Sequence, residues 1–504
     1  MTESLSETTD LELDALLTAA ASSAWGHRTS RVRARTLVTL ADELQRHTDE
    51  LVAAALPETG LPEARLRGEV TRTAVQLTMF AEEILGGAYL DVVIDRPDPG
   101  FVLGPRPDLR RFQVPIGPVL VFAAGNFPFA FSVAGTDTAS ALAAGCPVIV
   151  KAHPGHPRTS MLTASIVADT LAECGAPAGT FAMIKGIEIG VRALRDRRIA
   201  AAAFTGSVSG GRALFDIAAA RRRPIPFYGE LGSLNPVVIT HGAATERPDE
   251  IAAGFVGSFT LGAGQFCTKP GLLLIPAGTG LIDRITQLAN DIPIVRLLTT
   301  RTAEALRNRS AEVNGIDGVE VLLAGAEEVL DDSGVPAVGP TLMKVGAAQL
   351  LEHGDTLLAE TFGPSALIVE YPSEAKLYEV LSELDGTLTV TVHTGSSPSE
   401  SERAALSRLV PLAASRCGRL VFNGWPTGVA VTPAQNHGGP YPATTAVAHT
   451  SVGTAAIRRF IRPIAFQDAP AGLLPVELQE ANPLGVPRTV NEAGQSAGWG
   501  RGQY

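Results

Sequence analysis

From residue 119 to residue 220 the chain repeats one rhythm, a short apolar run without polar alternation followed by a helical stretch. The apolar runs are 119–124, 147–151 and 199–204, and the helical stretches are 131–144, 160–173 and 212–220. Strands that are apolar on both faces must be covered on both faces, and a helix between successive strands makes them parallel. A doubly covered, Rossmann-like α/β layer is therefore expected. A second α/β set follows Glu230, with strands predicted near 237–239, 272–275, 366–370, 388–393 and 418–422. The 504 residues exceed one ordinary core, so these sets predict more than one domain.

About 90 residues of helical periodicity precede this rhythm, over 10–22, 29–47 and 63–85, ending at Gly86-Gly87. Residues 89–111 then mix Pro, Asp and Arg with β-branched pieces at 91–95 and 110–114, the pattern of an exposed hairpin arm. Its unpaired edges predict association with a neighbouring subunit, as a homodimer or homotetramer. The tail after Phe466, rich in Pro and Gly, is expected to wrap a surface. No charged residue lies between Arg111 and Asp137, but Pro115, Pro118, Asn126 and Pro128 break that run. It reads as a buried strand, loop and helix, not a membrane span.

Composition narrows the function. Lys and Arg number 41 against 52 Asp and Glu, a net charge of −11, and the densest basic run is only Arg221-Arg222-Arg223. Nothing here suits a nucleic-acid backbone. The four cysteines form no CxxC pair among nine histidines, so neither a zinc site nor a disulfide framework is legible; no metal is expected. That cysteine usage, and an N-terminus lacking the basic and apolar regions of a secretory signal, point to the cytoplasm.

Four segments carry candidate chemistry. Gly-Ala-Gly-Gln-Phe-Cys267-Thr-Lys-Pro-Gly sets a cysteine among small residues, where backbone N–H groups can approach a bound carbonyl, making Cys267 the candidate nucleophile. Cys146, Cys174 and Cys417 read as small buried hydrophobes. Glu230, just before an apolar strand, is a candidate general base whose pKa burial would raise. Asn126 stands at the mouth of a strand, where its amide could donate to an oxyanion or merely make a turn. Phe-Thr-Gly206-Ser207-Val-Ser-Gly-Gly211 follows the run 199–204 and opens a helix, as a phosphate-binding turn would, although it is not the GxGxxG fingerprint.

The ordered set Asn126-Phe-Pro, Val-Ile-Val-Lys151, Phe-Thr-Gly206-Ser-x-x-x-Gly211, Glu230-Leu-Gly, Gly-Gln-x-Cys267 and Glu360-Thr-Phe362-Gly-Pro resembles the aldehyde dehydrogenase superfamily. The resemblance spans about Leu13 to Ile464, and its most diagnostic pair is the Glu-Leu-Gly and Gly-Gln-x-Cys elements, 37 residues apart. It implies that Cys267 attacks an aldehyde, that Asn126 and the Cys267 N–H hold the oxyanion, and that Glu230 activates the hydrolytic water. It implies further that Lys151 binds the adenosine ribose or its phosphate, that Glu360 holds the nicotinamide ribose, and that Phe362 lies in the same cofactor segment. The implied architecture is a cofactor domain over 1–91 and 114–231, a catalytic domain over 232–445, and an oligomerisation element over 92–113 and 446–504.

Two departures refine this expectation. The family's Lys-x-x-Glu here reads Lys151-Ala-His153-Pro154; without that carboxylate, Lys151 and His153 favour NADP over NAD. In addition, His437 in Gln-Asn-His437-Gly-Gly-Pro resembles the branch of α-ketoglutaric semialdehyde (2,5-dioxopentanoate) and NADP-dependent fatty aldehyde dehydrogenases. There His437 would either assist Cys267 or the hydrolytic water, or simply satisfy a carbonyl. The substrate expected is 2,5-dioxopentanoate, with a long-chain aldehyde as alternative. A CoA-acylating relative typically lacks the hydrolytic glutamate, and a non-catalytic binding protein would have no use for Asn126, Glu230 and Cys267 together.

Overall fold

The computed structural model describes residues 6–331 and 333–499; the first five residues of the acidic N-terminus and the last five of the tail lie outside the described residues. Helices α1 (Asp10–Ser22), α2 (Ser30–Arg46), α3 (Thr48–Thr59) and α4 (Glu63–Gly86) come first. The Thr9 hydroxyl and the Glu12 carboxylate cap α1 reciprocally, which explains its clear start in the sequence. Helix α3 was not anticipated. It follows α2 after His47 alone and has Pro57 inside it, so neither a loop nor a clean apolar stripe announces it.

Strands β1 (Val92–Asp95) and β2 (Leu109–Pro115) form the expected antiparallel hairpin. Its edges are not left for a neighbour, as the sequence had suggested. Strand Ile461–Gln467 pairs antiparallel with β2 along its whole length, and Arg488–Asn491 pairs parallel with β1. The tail thus contributes strands to a four-stranded sheet, because the hairpin's exposed N–H and C=O groups take partners from the same chain.

The α/β rhythm builds a five-stranded parallel sheet in the order β5-β4-β3-β6-β7. Its strands are β3 (Val119–Phe122), β4 (Val148–Lys151), β5 (Phe181–Ile184), β6 (Ala201–Thr205) and β7 (Phe227–Glu230). Helices α5 (Thr136–Ala144), α6 (Pro157–Glu173), α7 (Ile187–Arg195) and α8 (Val208–Ala219) connect or flank them. β5 and α7 were missed in the sequence, β5 because most of its residues are only half-buried. Helix α5 starts five residues later than the expected 131: residues 128–135 form turns, whose Phe129 and Ala130 N–H groups are taken by the buried Glu69 carboxylate of α4.

The second layer is a seven-stranded sheet containing β8 (Val237–Ile239) and β9 (Leu272–Pro276). Across it run Glu320–Leu323, Thr341–Gly346, Ser365–Tyr371, β9, β8, Thr387–His393 and Cys417–Phe422, parallel except for the first pair. No helix among the described residues is long and apolar enough to cross a membrane.

Candidate active site

Parallel strands deliver their carboxyl ends to one edge of a sheet, and the order of the five-stranded layer reverses at β3, the position where open α/β sheets leave a crevice. Lys151 ends β4 opposite Phe122, and Glu230 ends β7 opposite Thr205. Asn126 follows β3, and Gly206 with Ser207 follows β6. Five sequence candidates therefore share one edge, Lys151 and Glu230 through strand register and Asn126, Gly206 and Ser207 as residues following strand ends.

Cys267 reaches this edge from the second layer. His437 Nε2 lies 2.8 Å from Glu230 Oε1 and 3.3 Å from Cys267 Sγ. The Ser451 hydroxyl donates to the other Glu230 oxygen, and Thr450 Oγ1 accepts the His437 backbone N–H at 2.8 Å. Glu230 and His437 are buried and Cys267 is half-buried. Nε2 carries at most one hydrogen, so it cannot donate to both neighbours at once. Thiol, imidazole and carboxyl hold protons in common.

Burial alone would raise the Glu230 pKa, as the sequence had suggested. Instead the His437 charge and hydrogen bonds from His437, Ser451 and Cys267 outweigh burial and hold it below the ordinary carboxyl value. Burial and then the Glu230 charge push the Cys267 thiol well above its usual value, with Arg72 opposing them. At neutral pH the resting pair is thiol and carboxylate. The Glu230, His437 and Cys267 ligand atoms lie within 4.8 Å of one another. A thiophilic cation held there would occupy the same sulfur that an aldehyde needs.

The cysteine loop is rigidly held. Gly262, Ala263 and Gly264 all adopt positive φ, at 58°, 56° and 65°. A side chain on Gly264 would meet the Gly363 carbonyl oxygen at 2.2 Å, so glycine lets the cysteine loop touch the loop after Glu360. Asn235, at φ 51°, donates from Nδ2 to the carbonyls of Cys267 at 2.7 Å and Lys269 at 3.0 Å. Lys269 Nζ donates to the carbonyls of Thr361 at 2.9 Å and Ser365 at 2.7 Å. Asn126 Nδ2 donates to the Gln265 carbonyl at 3.1 Å, leaving its second amide hydrogen for another acceptor.

The predicted cofactor residues fall into two groups. At the first, Ser207 caps α8 by accepting the Gly210 N–H at 3.2 Å, and a Cβ on Gly211 would strike the Leu231 side chain at 2.1 Å. Gly211 thus serves helix packing, while Gly206 and Ser207 are exposed. Glu360 faces Lys269; burial pushes its carboxyl up and the Lys269 ammonium down, and the opposite charges counteract both. Phe362 is half-buried two residues on.

At the second, Lys151 and His153 lie together, but burial, with the charges of His156, Lys151 and Arg301, pushes the His153 pKa down to about 3. His153 is therefore neutral at neutral pH, with Lys151 and Arg301 as the positive groups around it. Glu58 of α3 caps α6, accepting from the Arg158 N–H at 2.8 Å and the Thr159 N–H at 2.9 Å.

Ser451, Asn235, Lys269, Arg301, Arg65 and Arg72 were not anticipated at the site. Lys269 stands within the Cys267 loop and Asn235 five residues after Glu230; only the spacing of Arg65, Glu69 and Arg72 along α4 hints at the arginines.

The sequence model of the aldehyde dehydrogenase family matches residues 3–440. The chain is 45% identical over 462 residues to alpha-ketoglutaric semialdehyde dehydrogenase 2 of Azospirillum brasilense, covering 90% of this chain and 86% of that protein. It is 39% identical over 472 residues to alpha-ketoglutaric semialdehyde dehydrogenase of Acinetobacter baylyi, covering 92% and 88%. The crystal structure of an NAD-dependent aldehyde dehydrogenase from Sinorhizobium meliloti superposes with a TM-score of 0.75 at 21% identity, covering 93% of this chain and 90% of that one. A thiol, an imidazole and a carboxylate meeting at the edge of two α/β layers, together with a family match over most of the sequence, show that this chain belongs to the aldehyde dehydrogenase family.

Proposed function

We propose that the protein oxidises 2,5-dioxopentanoate (α-ketoglutaric semialdehyde) to 2-oxoglutarate through a cysteine thioester. The observation carrying this reading is the contact of Cys267, His437 and Glu230, joined to the likeness to two proteins of that name. The Cys267 proton passes to the adjacent carboxylate or imidazole, and the sulfur bonds the aldehyde carbon. The carbonyl oxygen becomes an alkoxide that the free Asn126 hydrogen and the Cys267 N–H receive. NAD(P), when bound, supplies the acceptor for the hydride that leaves this carbon. Glu230, aided by His437, then removes a proton from water as its oxygen attacks the thioester. The carbon–sulfur bond breaks, the sulfur regains a proton, and the acid departs.

The crevice fits a dinucleotide: Gly206 and Ser207 present the open first turn of α8, and Glu360 faces the cysteine loop from the other side. NADP is the favoured form, through Lys151 and Arg301 and the missing carboxylate at Pro154. Association as a homodimer or homotetramer in a reducing cytoplasm completes the reading, with the outer edges of the four-stranded sheet as one contact surface; sedimentation showing only monomer at micromolar concentration would defeat it. The test of the reaction is the reduction of NADP and of NAD by purified protein with 2,5-dioxopentanoate and with fatty aldehydes, each with and without CoA. Turnover that requires CoA, or that ignores 2,5-dioxopentanoate, refutes the reading.

A further inference from the structure

Helix α4 places Arg65, Glu69 and Arg72 on one face, at i, i+4 and i+7, against the segment that follows Asn126. Arg65 Nη2 donates to the Asn126 carbonyl at 2.7 Å. Its guanidinium carbon lies 5.1 Å from the Phe127 ring centroid and 4.6 Å from that of Phe266. The Arg72 guanidinium carbon lies 5.7 Å from the Phe127 centroid and 5.3 Å from that of Phe131. Phe127 meets both Phe131 and Phe266 edge to face at 5.4 Å. Phe127 is the residue after Asn126 and Phe266 the residue before Cys267, so this aromatic box grows from the two segments that carry the reacting groups.

The charges in the box do not balance. Glu69 is its acidic partner, and one of its oxygens is committed to the Phe129 and Ala130 N–H groups at 2.9 and 3.0 Å. Among the described residues, Arg65 Nη1, Arg72 Nε and Arg72 Nη2 are buried and donate to no protein acceptor. Ring faces attract a guanidinium but do not replace in-plane acceptors for its N–H groups. Nε and Nη2 of one guanidinium form the planar fork that receives a carboxylate through two parallel hydrogen bonds.

We propose that Arg72, supported by Arg65, is the specificity-determining residue of this enzyme, receiving the far carboxylate of a short ω-oxo acid whose aldehyde is presented to Cys267. The choice of 2,5-dioxopentanoate as that acid rests on the function proposed above; the carboxylate subsite itself does not. The four-bond span from its aldehyde carbon to its carboxylate carbon is about 5 Å by ordinary bond lengths, so such a substrate is short enough for one box to serve both ends. A long-chain aldehyde would set an alkyl chain against unsatisfied buried donors, which disfavours it.

The test compares kcat/KM for 2,5-dioxopentanoate, 5-oxopentanoate and the neutral, equally long pentanal in wild type, Arg72→Leu and Arg72→Lys. The acid-to-pentanal ratio is expected to fall at least 100-fold in Arg72→Leu, mainly through KM. In Arg72→Lys, which keeps the charge but loses the fork, it is expected to fall about tenfold. Should the leucine variant not fold, the lysine variant alone decides. A ratio within threefold of wild type in the folded variants, or a wild type that does not prefer 5-oxopentanoate to pentanal, overturns the proposal. A wild type that uses 5-oxopentanoate with this Arg72 dependence but rejects 2,5-dioxopentanoate upholds the subsite and refutes the proposed substrate instead.

Discussion

Replacing Glu230 by Gln removes one negative charge from a buried cluster while keeping the shape of the side chain, so its two consequences can be separated. The first concerns hydrolysis. An amide cannot take a proton from water, and general-base assistance is worth ~10²–10⁴-fold, so thioester hydrolysis should slow by that factor. Acylation and reduction of the cofactor still proceed once, giving a burst of reduced cofactor near one equivalent per active site before a slow steady state. The second concerns the thiol. The carboxylate and sulfur ligand atoms are no more than 4.8 Å apart. Two unit charges at that separation interact by about 3.5 kcal/mol at an effective dielectric of ~20, equivalent to about 300-fold in the thiolate population at fixed pH. Because the Glu230 charge opposes ionisation of Cys267, its removal should speed alkylation by iodoacetamide at pH 8, by up to that factor. Rapid-mixing absorbance gives the burst, and mass spectrometry of Cys267 against time gives the alkylation rate. Unchanged steady-state turnover together with an alkylation rate within threefold of wild type would show that Glu230 neither serves as the base nor acts on the thiol.

His437 shares the proton of that pair, so the double variant Glu230→Gln/His437→Asn should hydrolyse the thioester much more slowly than either single variant; turnover like wild type in all three would remove both residues from the base role. Pro154→Glu, on the exposed turn after β4, should move preference toward NAD by repelling a 2′-phosphate; an NADP/NAD ratio of kcat/KM within twofold of wild type, about 0.4 kcal/mol, would detach this turn from the ribose. His393 is buried against Trp425 with both ring nitrogens unbonded among the described residues, and burial lowers its pKa to about 4. The unfolded chain therefore binds a proton that the native chain refuses, and wild type loses stability as pH falls from ~6.5 toward 4, by about 3 kcal/mol at most. His393→Phe should lack this loss, and unfolding midpoints for the two proteins that run parallel from pH 7 to pH 4 would refute the assignment.

The α/β rhythm was legible because strand burial and helix periodicity are local: Val119 to Phe122 and Val148 to Lys151 show in their own residues that both faces are covered. The motif order likewise placed Asn126, Lys151, Gly206, Glu230 and Cys267, since each stands at a strand end or in a loop that the sequence itself marks. Less local features escaped it. The strands Ile461–Gln467 and Arg488–Asn491 have no identity apart from the hairpin they cover, so a Pro-rich tail was expected only to wrap a surface. The charge of His153 could not be read from its type, because burial and the neighbouring Lys151, His156 and Arg301 keep it neutral.

The amino-acid sequence by itself determined the chemistry available here: one cysteine in a small-residue loop, one glutamate at a strand end, one histidine far along the chain. Only the tertiary structure decided that the imidazole of His437 stands between the other two, 170 residues from one and 207 from the other, and that the guanidinium of Arg72 lies over the rings of Phe127 and Phe131. The physical reason is that residue type fixes which protons and charges a side chain can carry. Proton sharing and the balance between burial and opposite charge depend on distances of a few ångströms between groups that only packing brings together.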